Sequence, residues 1–515
     1  MNNILEKKLG FWRELAICLA MALIARGSMF FGLNLSADDY GFLNFSEKLE
    51  IWPFAVELRL FAFILIFILN FFGASPPFVG FLWSVVFNIG FVVFGLLSMQ
   101  MLAPKSGSIA KIAGVCLFLL FPYHSDYLSY YIAAPTISTM LIIGICSMYF
   151  CIISKKIWWL CLLGMTYAVS GQITFVYLFM VVIFGILISL FQAIGEGGLA
   201  KSGFLKSAKP WFIRLGALLL GAIMYVAVNK IIILFLGMHT GSRLVFADLD
   251  GIKENIIIAA KQVYYFFFKA DVAQPLSVKM LQLGFFGVIF FTGLKLSFRR
   301  SKVNLKLLFL WLIAMGFVFL SMVFIMGAVL PLKEPPLNPR TLSALGVYWA
   351  GVFALTLALS SGRLQIATIW LGAFVAFCYA INANRQAVDF ARINERDRFI
   401  ASRMVERLSL LEGFSNLRTV ILTNTHHTFN LDRISTESSG FNISSLYRNW
   451  SSLAVLREVS GTPFAPPTED DRKLAENLAE AKPEWPALGS VFIEGDVGVV
   501  VLPGRERLNT QEPNP

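Results

Sequence analysis

Long apolar stretches follow one another from Phe11 to about Ile381, and they constrain the fold of this chain more than any other feature. At 1.5 Å rise per residue, each stretch is long enough to cross a hydrocarbon core of roughly 30 Å as a helix. Hydrophobic residues make up 57% of the sequence and the mean hydropathy is +0.70, outside the range of ordinary globular domains. The sequence therefore predicts an all-α polytopic membrane domain.

A second domain is predicted at the C-terminus, because the apolar content falls and the charges rise from about Asn384. Residues 1–383 form the predicted membrane domain and residues 384–515 a soluble domain. In the soluble domain, residues 396–411 and 469–481 have helical periodicity, whereas residues 417–423 and 490–502 resemble strands. This pattern predicts a small α/β domain that follows the last span.

The net charge of +11 is divided unequally, at about +14 for residues 1–383 and about −3 for the remainder. In a membrane protein, an excess of basic residues is typical of cytoplasmic loops. The sequence contains no RNA- or DNA-binding motif, so nucleic acid is not an expected partner. The basic loops placed in the cytoplasm are residues 2–13, 103–111, 155–156, 201–214 and 299–306 and Arg363.

This orientation requires that the apolar run at residues 54–73 does not cross fully but lies at the interface or re-enters the membrane. We therefore predict about eleven spans plus this interfacial or re-entrant segment. The N-terminus is then cytoplasmic, and the C-terminal domain lies on the opposite side of the membrane.

Two adjacent aspartates, Asp38 and Asp39, follow the first predicted span in the stretch Leu-Ser-Ala-Asp-Asp-Tyr-Gly-Phe. In the structural interpretation, one of them caps a short amphipathic helix that begins at Tyr40 and ends near Ile51. In the functional interpretation, apolar surroundings and mutual repulsion raise the proton affinity of one carboxylate, which suits a general base. Both interpretations can hold at once.

Several cations map to the outer side of the membrane, against the usual trend, and together they favour an anion site. Each alone is also suited to a snorkelling anchor or an ion pair. A phosphate carried on a lipid could reach such residues from within the leaflet, and arginine can bind it in a bidentate manner. The candidate phosphate-binding residues are Arg26, Arg59, Lys230, Arg243, Lys261 and Arg340.

Lys261 belongs to a predicted helix within residues 250–269 that lies in the headgroup plane. Its expected apolar face carries Ile252, Ile256, Val263 and Phe267.

A polar, aromatic stretch contains Tyr123, His124 and Asp126. Its simplest interpretation is an interfacial aromatic belt, and the alternative is a substrate-binding site in which aromatic rings contact sugar faces. No spacing of histidine or cysteine resembles a zinc motif, so no metal or other cofactor is expected. The acidic residues still allow a divalent cation to bind.

Taken together, the acidic pair in the first outer loop, the interfacial segment before a long span, the polar loop after the third span and the outward C-terminal domain resemble the GT-C superfamily. The sequence is most similar to bacterial O-antigen serotype-converting type II glucosyltransferases, whose tail also ends in a Val-rich strand pair after a proline-containing link, here residues 482–486. The resemblance implies an inverting glycosyltransferase in which Asp38 or Asp39 is the catalytic base.

The resemblance further implies a multi-pass protein of the bacterial inner membrane with a periplasmic C-terminal domain. Its donor would be an undecaprenyl-phosphate hexose, with glucose as the sugar that the resemblance implies, and its acceptor a lipid-linked or lipopolysaccharide glycan of the O-antigen. Membrane lipids, a donor flippase and a donor synthase are further expected partners. Two alternatives stay open: a flippase or transporter of lipid-linked oligosaccharide, and an O-antigen polymerase or ligase.

Overall fold

The chain divides into two compact units that are not contiguous in sequence. The computed structural model describes residues 2–30, 34–45, 60–74, 79–128, 130–196, 203–235, 248–269, 274–298, 304–327, 342–424 and 444–503. The membrane unit comprises Met1–Phe31, Ile51–Leu128 and Ala133–Ala387. The C-terminal unit comprises Val388–Pro515 and two earlier segments, Gly32–Glu50 and Ser129–Ile132. The segment that carries Asp38 and Asp39 therefore belongs to the C-terminal unit.

The membrane unit is built from helices, as the apolar runs predict. Its α-helices are Asn2–Phe30, Leu60–Phe71, Gly80–Leu102, Ser108–Leu119, Ser125–Leu128, Ala134–Ile153, Trp158–Val169, Gln172–Gly195, Phe204–Phe235, Leu249–Phe268, Leu276–Ser297, Leu305–Gly327, Leu345–Leu359 and the first part of Arg363–Ser409. Short 3-10 turns occupy Pro122–His124 and Lys155–Ile157.

Seven of the described helices are long and apolar enough to cross a membrane, as expected of a multi-pass membrane protein. They are Gly80–Leu102, Ala134–Ile153, Ile173–Gly195, Phe204–Ile232, Leu276–Ser297, Leu305–Ile325 and Arg363–Ser409. The expected count of about eleven spans is not confirmed. Asn2–Phe30 carries charged side chains along its length and is not among the seven.

Several apolar runs form helices that are shorter than a full span. Ser108–Leu119 and Trp158–Val169 have 12 residues each, and Leu345–Leu359 has 15. Within the predicted interfacial or re-entrant run, the structure describes the helix Leu60–Phe71, whose 12 residues extend about 18 Å.

One helix of 47 residues, Arg363–Ser409, runs through the expected domain boundary at residue 384. We expected a separate helix over residues 396–411 after the last span. The helix continues because its sequence contains no proline, and polar residues such as Asn382 bond to the preceding turn, here the Cys378 carbonyl at 3.1 Å. Gly413, with a left-handed φ of 91°, follows its end.

The C-terminal unit contains a three-stranded sheet of strands β1 (Thr419–Thr423), β2 (Val491–Glu494) and β3 (Val497–Val501), in the order β1-β3-β2. β2 and β3 form the predicted antiparallel pair, and Gly495 in the turn has a φ of 61°. β1 pairs in parallel with β3, with Thr419 opposite Val497. The predicted α/β character of this domain is therefore confirmed.

Three short helices complete the C-terminal unit: Ala37–Phe45, Ser452–Ser460 and Glu469–Ala479. The last agrees with the helix expected at residues 469–481, whereas Ser452–Ser460 was not expected, because its sequence lies at the end of a polar, Ser-rich stretch. Leu35, Tyr40 and Tyr131 belong to the same hydrophobic core as Leu408 and Val500. The core therefore includes side chains from both early segments.

The helix Leu249–Phe268 confirms the helix expected within residues 250–269. Of the expected apolar face, Phe267 is buried, and the side chain of Val263 lies outside the described residues. Asp248 caps the helix by accepting a hydrogen bond from the Gly251 N–H at 2.8 Å. Asn255 and Ala259 are buried, whereas Ile256 is 51% exposed. Ile257 and Ile258 are exposed as well, as expected of apolar side chains on a helix that contacts lipid.

Candidate functional site

The helix that carries the two aspartates begins at Ala37, three residues before the expected start. Ser36 is its cap: the Ser36 Oγ accepts from the Asp39 N–H at 3.2 Å, and the Asp39 Oδ2 accepts from the Ser36 N–H at 3.1 Å. This reciprocal pair is a capping box with aspartate at the third helical position. The expectation that an aspartate caps the helix was therefore wrong in detail, because the serine has the cap position.

Asp39 also joins the two early segments of the C-terminal unit. Its Oδ1 accepts from the Ile132 N–H at 2.9 Å, and its Oδ2 accepts from the Tyr131 N–H at 3.2 Å and from the Ser36 hydroxyl at 2.8 Å. The side chain is fully buried. Burial raises the pKa of Asp39 to about 6, although the donors from Ile132, Ser36 and Tyr131 oppose that rise.

Asp38 has the opposite environment, because its side chain is exposed. It lies in the first turn of the helix Ala37–Phe45, where the helix dipole favours a negative charge. The structure thus separates the pair into one carboxylate saturated with hydrogen bonds and one open to solvent.

Further polar contacts fix the helix Ala37–Phe45 within the C-terminal unit. The Tyr40 hydroxyl donates to the Glu458 carboxylate, which also accepts from the Arg398 Nε at 3.1 Å. Nearby in sequence to Arg398, buried Asp397 accepts from the Ser445 N–H at 2.7 Å and the Ser444 hydroxyl at 2.5 Å. The partly buried contact of Tyr40 with Glu458 therefore ties the helix Ala37–Phe45 to the helix Ser452–Ser460.

Arg26, a predicted phosphate-binding residue, lies inside the membrane unit at a kink in the helix Asn2–Phe30. Its side chain is 1% exposed, and its Nη2 donates to the Leu119 carbonyl at 2.7 Å. Within the part of the chain that the structure describes, its Nε has no hydrogen-bond partner and the guanidinium makes no ion pair. A buried cation with unused donors is costly unless an anion reaches it.

His124 lies in the same part of the membrane unit as Arg26 and is fully buried. Its ring is 4.9 Å from that of Phe118 and 5.0 Å from that of Phe91 between centroids. Burial, and after it the charge of Arg26, lowers the pKa of His124 well below its usual range. Tyr123 is buried as well. The predicted sugar-contacting role of these rings stays a prediction.

The other predicted site residues are less informative. Lys230 and Lys261 are exposed on the helices Phe204–Phe235 and Leu249–Phe268. The side chain of Asp126 lies outside the described residues, as do Arg59, Arg243 and Arg340. The structure thus brings Arg26 and His124 together in the membrane unit and places the aspartates in the C-terminal unit.

Lys279 is a buried cation that sequence reasoning missed. Only 1% of the residue is exposed, and its Nζ donates to the Lys269 carbonyl at 2.7 Å and lies 5.2 Å from the centroid of the Phe266 ring. It occurs in the first turn of the apolar helix Leu276–Ser297. A lysine at the start of a span is itself a recognisable signal, because ionisable residues in membrane segments are rare.

Among the described residues, no group of three or more His, Cys, Asp or Glu side chains could hold a metal ion. Comparisons of the chain with family models, curated proteins and solved structures find no match. The likeness to GT-C glycosyltransferases therefore rests on the sequence pattern alone, and the function has to be argued from the residues themselves.

Proposed function

We propose that this protein is an inverting glycosyltransferase of the bacterial inner membrane. It moves a hexose, with glucose as the specific candidate, from an undecaprenyl-phosphate carrier to an O-antigen repeat unit. The reaction occurs on the periplasmic side, with the N-terminus in the cytoplasm. Support comes from the multi-pass architecture, the acidic pair after the first helix and the resemblance of the sequence pattern to GT-C enzymes.

The observation that carries the proposal is the difference in burial and hydrogen bonding between the two aspartates. Asp39 accepts four hydrogen bonds and is fully buried, so its oxygens are not available to a substrate. Asp38 is exposed on the helix that Asp39 fixes. We assign Asp38 as the general base and Asp39 as a positioning residue.

In the proposed reaction, the Asp38 carboxylate takes the proton from an acceptor hydroxyl as the hydroxyl oxygen attacks the anomeric carbon of the donor. The new glycosidic bond forms as the bond between that carbon and the phosphate oxygen breaks. The bonding electron pair leaves with the phosphate, whose negative charge increases. Attack from the face opposite the phosphate inverts the anomeric carbon.

A cation would stabilise the charge that develops on the departing phosphate. Arg26 is also buried, so in this structure its guanidinium is not open to a substrate phosphate. The phosphate-binding role of the cations stays a prediction. Lys230 and Lys261 are exposed and would at most contact a headgroup.

Replacement of Asp38 by Asn tests the proposal in the purified full-length protein. We expect transfer from polyprenyl-phosphate glucose to extracted O-antigen glycan to fall by about 10²–10⁴-fold, since general-base catalysis contributes about that much. Donor binding and the thermal unfolding midpoint should not change. The matched control is Asp470→Asn, because Asp470 is also an exposed aspartate in the first turn of a helix of the C-terminal unit.

The variant Asp39→Asn tests the positioning role of Asp39. It replaces an acceptor oxygen with an amide N–H₂ that faces backbone donors, so it should lower the unfolding midpoint as well as transfer. Normal transfer by Asp38→Asn, at the level of Asp470→Asn, would eliminate Asp38 as the base.

A further inference from the structure

A cavity of about 230 Å³ lies in the C-terminal unit, and none of its described lining residues takes part in the hydrogen bonds of Asp39. Its lining includes residues 420–422 of β1 together with Asn449, Trp450 and Arg472. Its volume is below the roughly 300–1,000 Å³ typical of pockets for drug-sized ligands. The cavity is therefore suited to a ligand group of about one ring.

β1 presents an edge to this cavity. In the sheet order β1-β3-β2, β1 pairs with β3 on one side only among the described strands. Neighbouring side chains of a strand point to opposite faces of the sheet. Residues 420–422 are consecutive, so all three can line one cavity if the cavity lies along the edge of the strand. Such an edge supplies backbone N–H and C=O groups for hydrogen bonds to a ligand.

Trp450 supplies an aromatic surface that is held in place. Its Cδ1 lies next to the backbone of Gly41, where an added Cβ would be 2.9 Å away. The guanidinium carbon of Arg448 is 5.4 Å from the centroid of the ring. Even so, 39% of the residue stays exposed. A fixed, partly exposed indole can pack against the apolar C–H face of a pyranose ring, with little conformational entropy to lose.

The polar groups around the cavity suit hydroxyls. Asn449 offers both an acceptor and donors, Ser452 a hydroxyl, and Arg472 a planar set of donors. Among the described residues that line the cavity, Arg472 is the only ionisable one, and none is a carboxylate or an imidazole that could do acid–base chemistry. This composition is typical of binding rather than of reaction.

We propose that this cavity binds one hexose unit of the acceptor glycan, an inference that rests on the proposed transferase function. Gly41, which contacts Trp450, follows Asp38 by three residues on the helix Ala37–Phe45. Residues three apart share a helix face. A glycan held against Trp450 would therefore lie beside the helix face from which Asp38 projects, where a neighbouring hydroxyl can reach the base.

The test measures glycan binding and transfer separately in the full-length protein. Saturation-transfer NMR with extracted O-antigen glycan, without donor, reports binding, and transfer from polyprenyl-phosphate glucose gives kcat and the acceptor KM. For Trp450→Ala we expect binding to weaken and KM to rise by about tenfold or more, with little change in kcat. Trp450→Phe keeps an aromatic face and should restore most of the binding.

Matched controls are Phe399→Ala and Lys473→Gln. Phe399 is an exposed aromatic residue of the same unit, and Lys473 is the exposed neighbour of Arg472; neither lines the cavity. If Trp450→Ala does not fold, Asn449→Ala and Arg472→Gln test glycan binding by the cavity instead. Their side chains lie outside the hydrophobic core. Both should raise the acceptor KM.

The proposal is overturned if the cavity variants bind the glycan as tightly as the two controls do. Failure of the transferase proposal gives a different result, because the wild type itself would then transfer no hexose, whatever the cavity variants bind. Full transfer by Asp38→Asn would remove only the assignment of Asp38 as the base. In the expected case, Asp38→Asn binds the glycan normally but does not transfer, whereas Trp450→Ala transfers at a normal kcat once the acceptor is saturating.

Discussion

At the scale of single residues, two neighbouring aspartates have opposite environments because successive residues on a helix are rotated by about 100°. That rotation buries Asp39, which accepts hydrogen bonds from the backbone N–H groups of residues 131–132, and leaves Asp38 exposed. The buried carboxyl experiences two opposing effects: desolvation favours its neutral form, whereas the donors and the helix N-terminus favour its charged form.

The balance of these effects at Asp39 gives a pH dependence of stability. Its pKa of about 6 in the folded protein exceeds the ordinary value of 3.8, so the folded state binds the proton more tightly. The contribution of Asp39 to the free energy of unfolding is therefore fully present below about pH 3.8 and is lost as the pH rises to about 6. We expect the difference in unfolding midpoint between the wild type and Asp39→Asn to decrease from pH 4 to pH 6.5.

Thermal unfolding of both proteins in one detergent, followed across that pH range, measures the difference. A difference that grows with pH would contradict the prediction, because it would mean that the backbone donors outweigh desolvation and hold the carboxylate ionised.

At the scale of helices, the membrane unit uses glycine where two helices approach closely. Gly90 in Gly80–Leu102 faces Ser138 of Ala134–Ile153, whose Cα would be 2.8 Å from an added Cβ. Gly351 in Leu345–Leu359 faces the ring of Phe184. Small residues at such crossings are typical of membrane helices, since close packing replaces the hydrophobic effect as the driving force for association.

Gly351→Ala should therefore destabilise the protein. Its Cβ would overlap the Phe184 ring, and overpacking of this kind costs about 1–3 kcal/mol. Gly216→Ala is the matched control, because Gly216 lies within the helix Phe204–Phe235 and a Cβ there meets no atom within 4 Å. This control should be neutral or stabilising by up to about 1 kcal/mol, from helix propensity.

The unfolding midpoints of the two alanine variants in the same detergent provide the comparison. Equal midpoints would show that the Phe184 ring moves aside without loss, and that the close approach of these helices contributes little to stability.

At the scale of the whole molecule, the chain leaves and rejoins its two units several times, since residues 32–50 and 129–132 belong with the C-terminal unit. Each crossing between sides of the membrane must agree with the basic loops. The loop between the helices Gly80–Leu102 and Ser108–Leu119 contains Lys105, which is exposed. Positive charge in a short loop predicts a cytoplasmic location for it.

Reporter fusions test this topology. Alkaline phosphatase fused after Lys105 should be inactive and green fluorescent protein fused there should fluoresce, while the same phosphatase fused after Leu502 should be active. Phosphatase activity after Lys105 equal to that after Leu502 would mean that residues 54–73 cross the membrane fully, and it would reverse the orientation of the helices that follow.

The sequence by itself determined the elements whose pattern is local. Apolar runs predicted a multi-pass helical domain, although the expected number of spans is not confirmed. The Val-rich stretch with its Gly495 turn predicted the strand pair β2–β3, because turn chemistry acts over a few residues. The helix Leu249–Phe268 was predictable because its periodicity is local too. Its buried face was predicted only in part, since burial depends on which neighbouring helices it meets.

Only the tertiary structure decided which aspartate is buried, because Asp39 bonds to residues about ninety positions away, at 131–132. It likewise brought Trp450 and Arg472 to one cavity with β1, and assigned residues 32–50 to the C-terminal unit. These outcomes depend on contacts between distant segments. A chain's local pattern fixes what each segment becomes, whereas the packing of segments fixes which side chains stay accessible and can act.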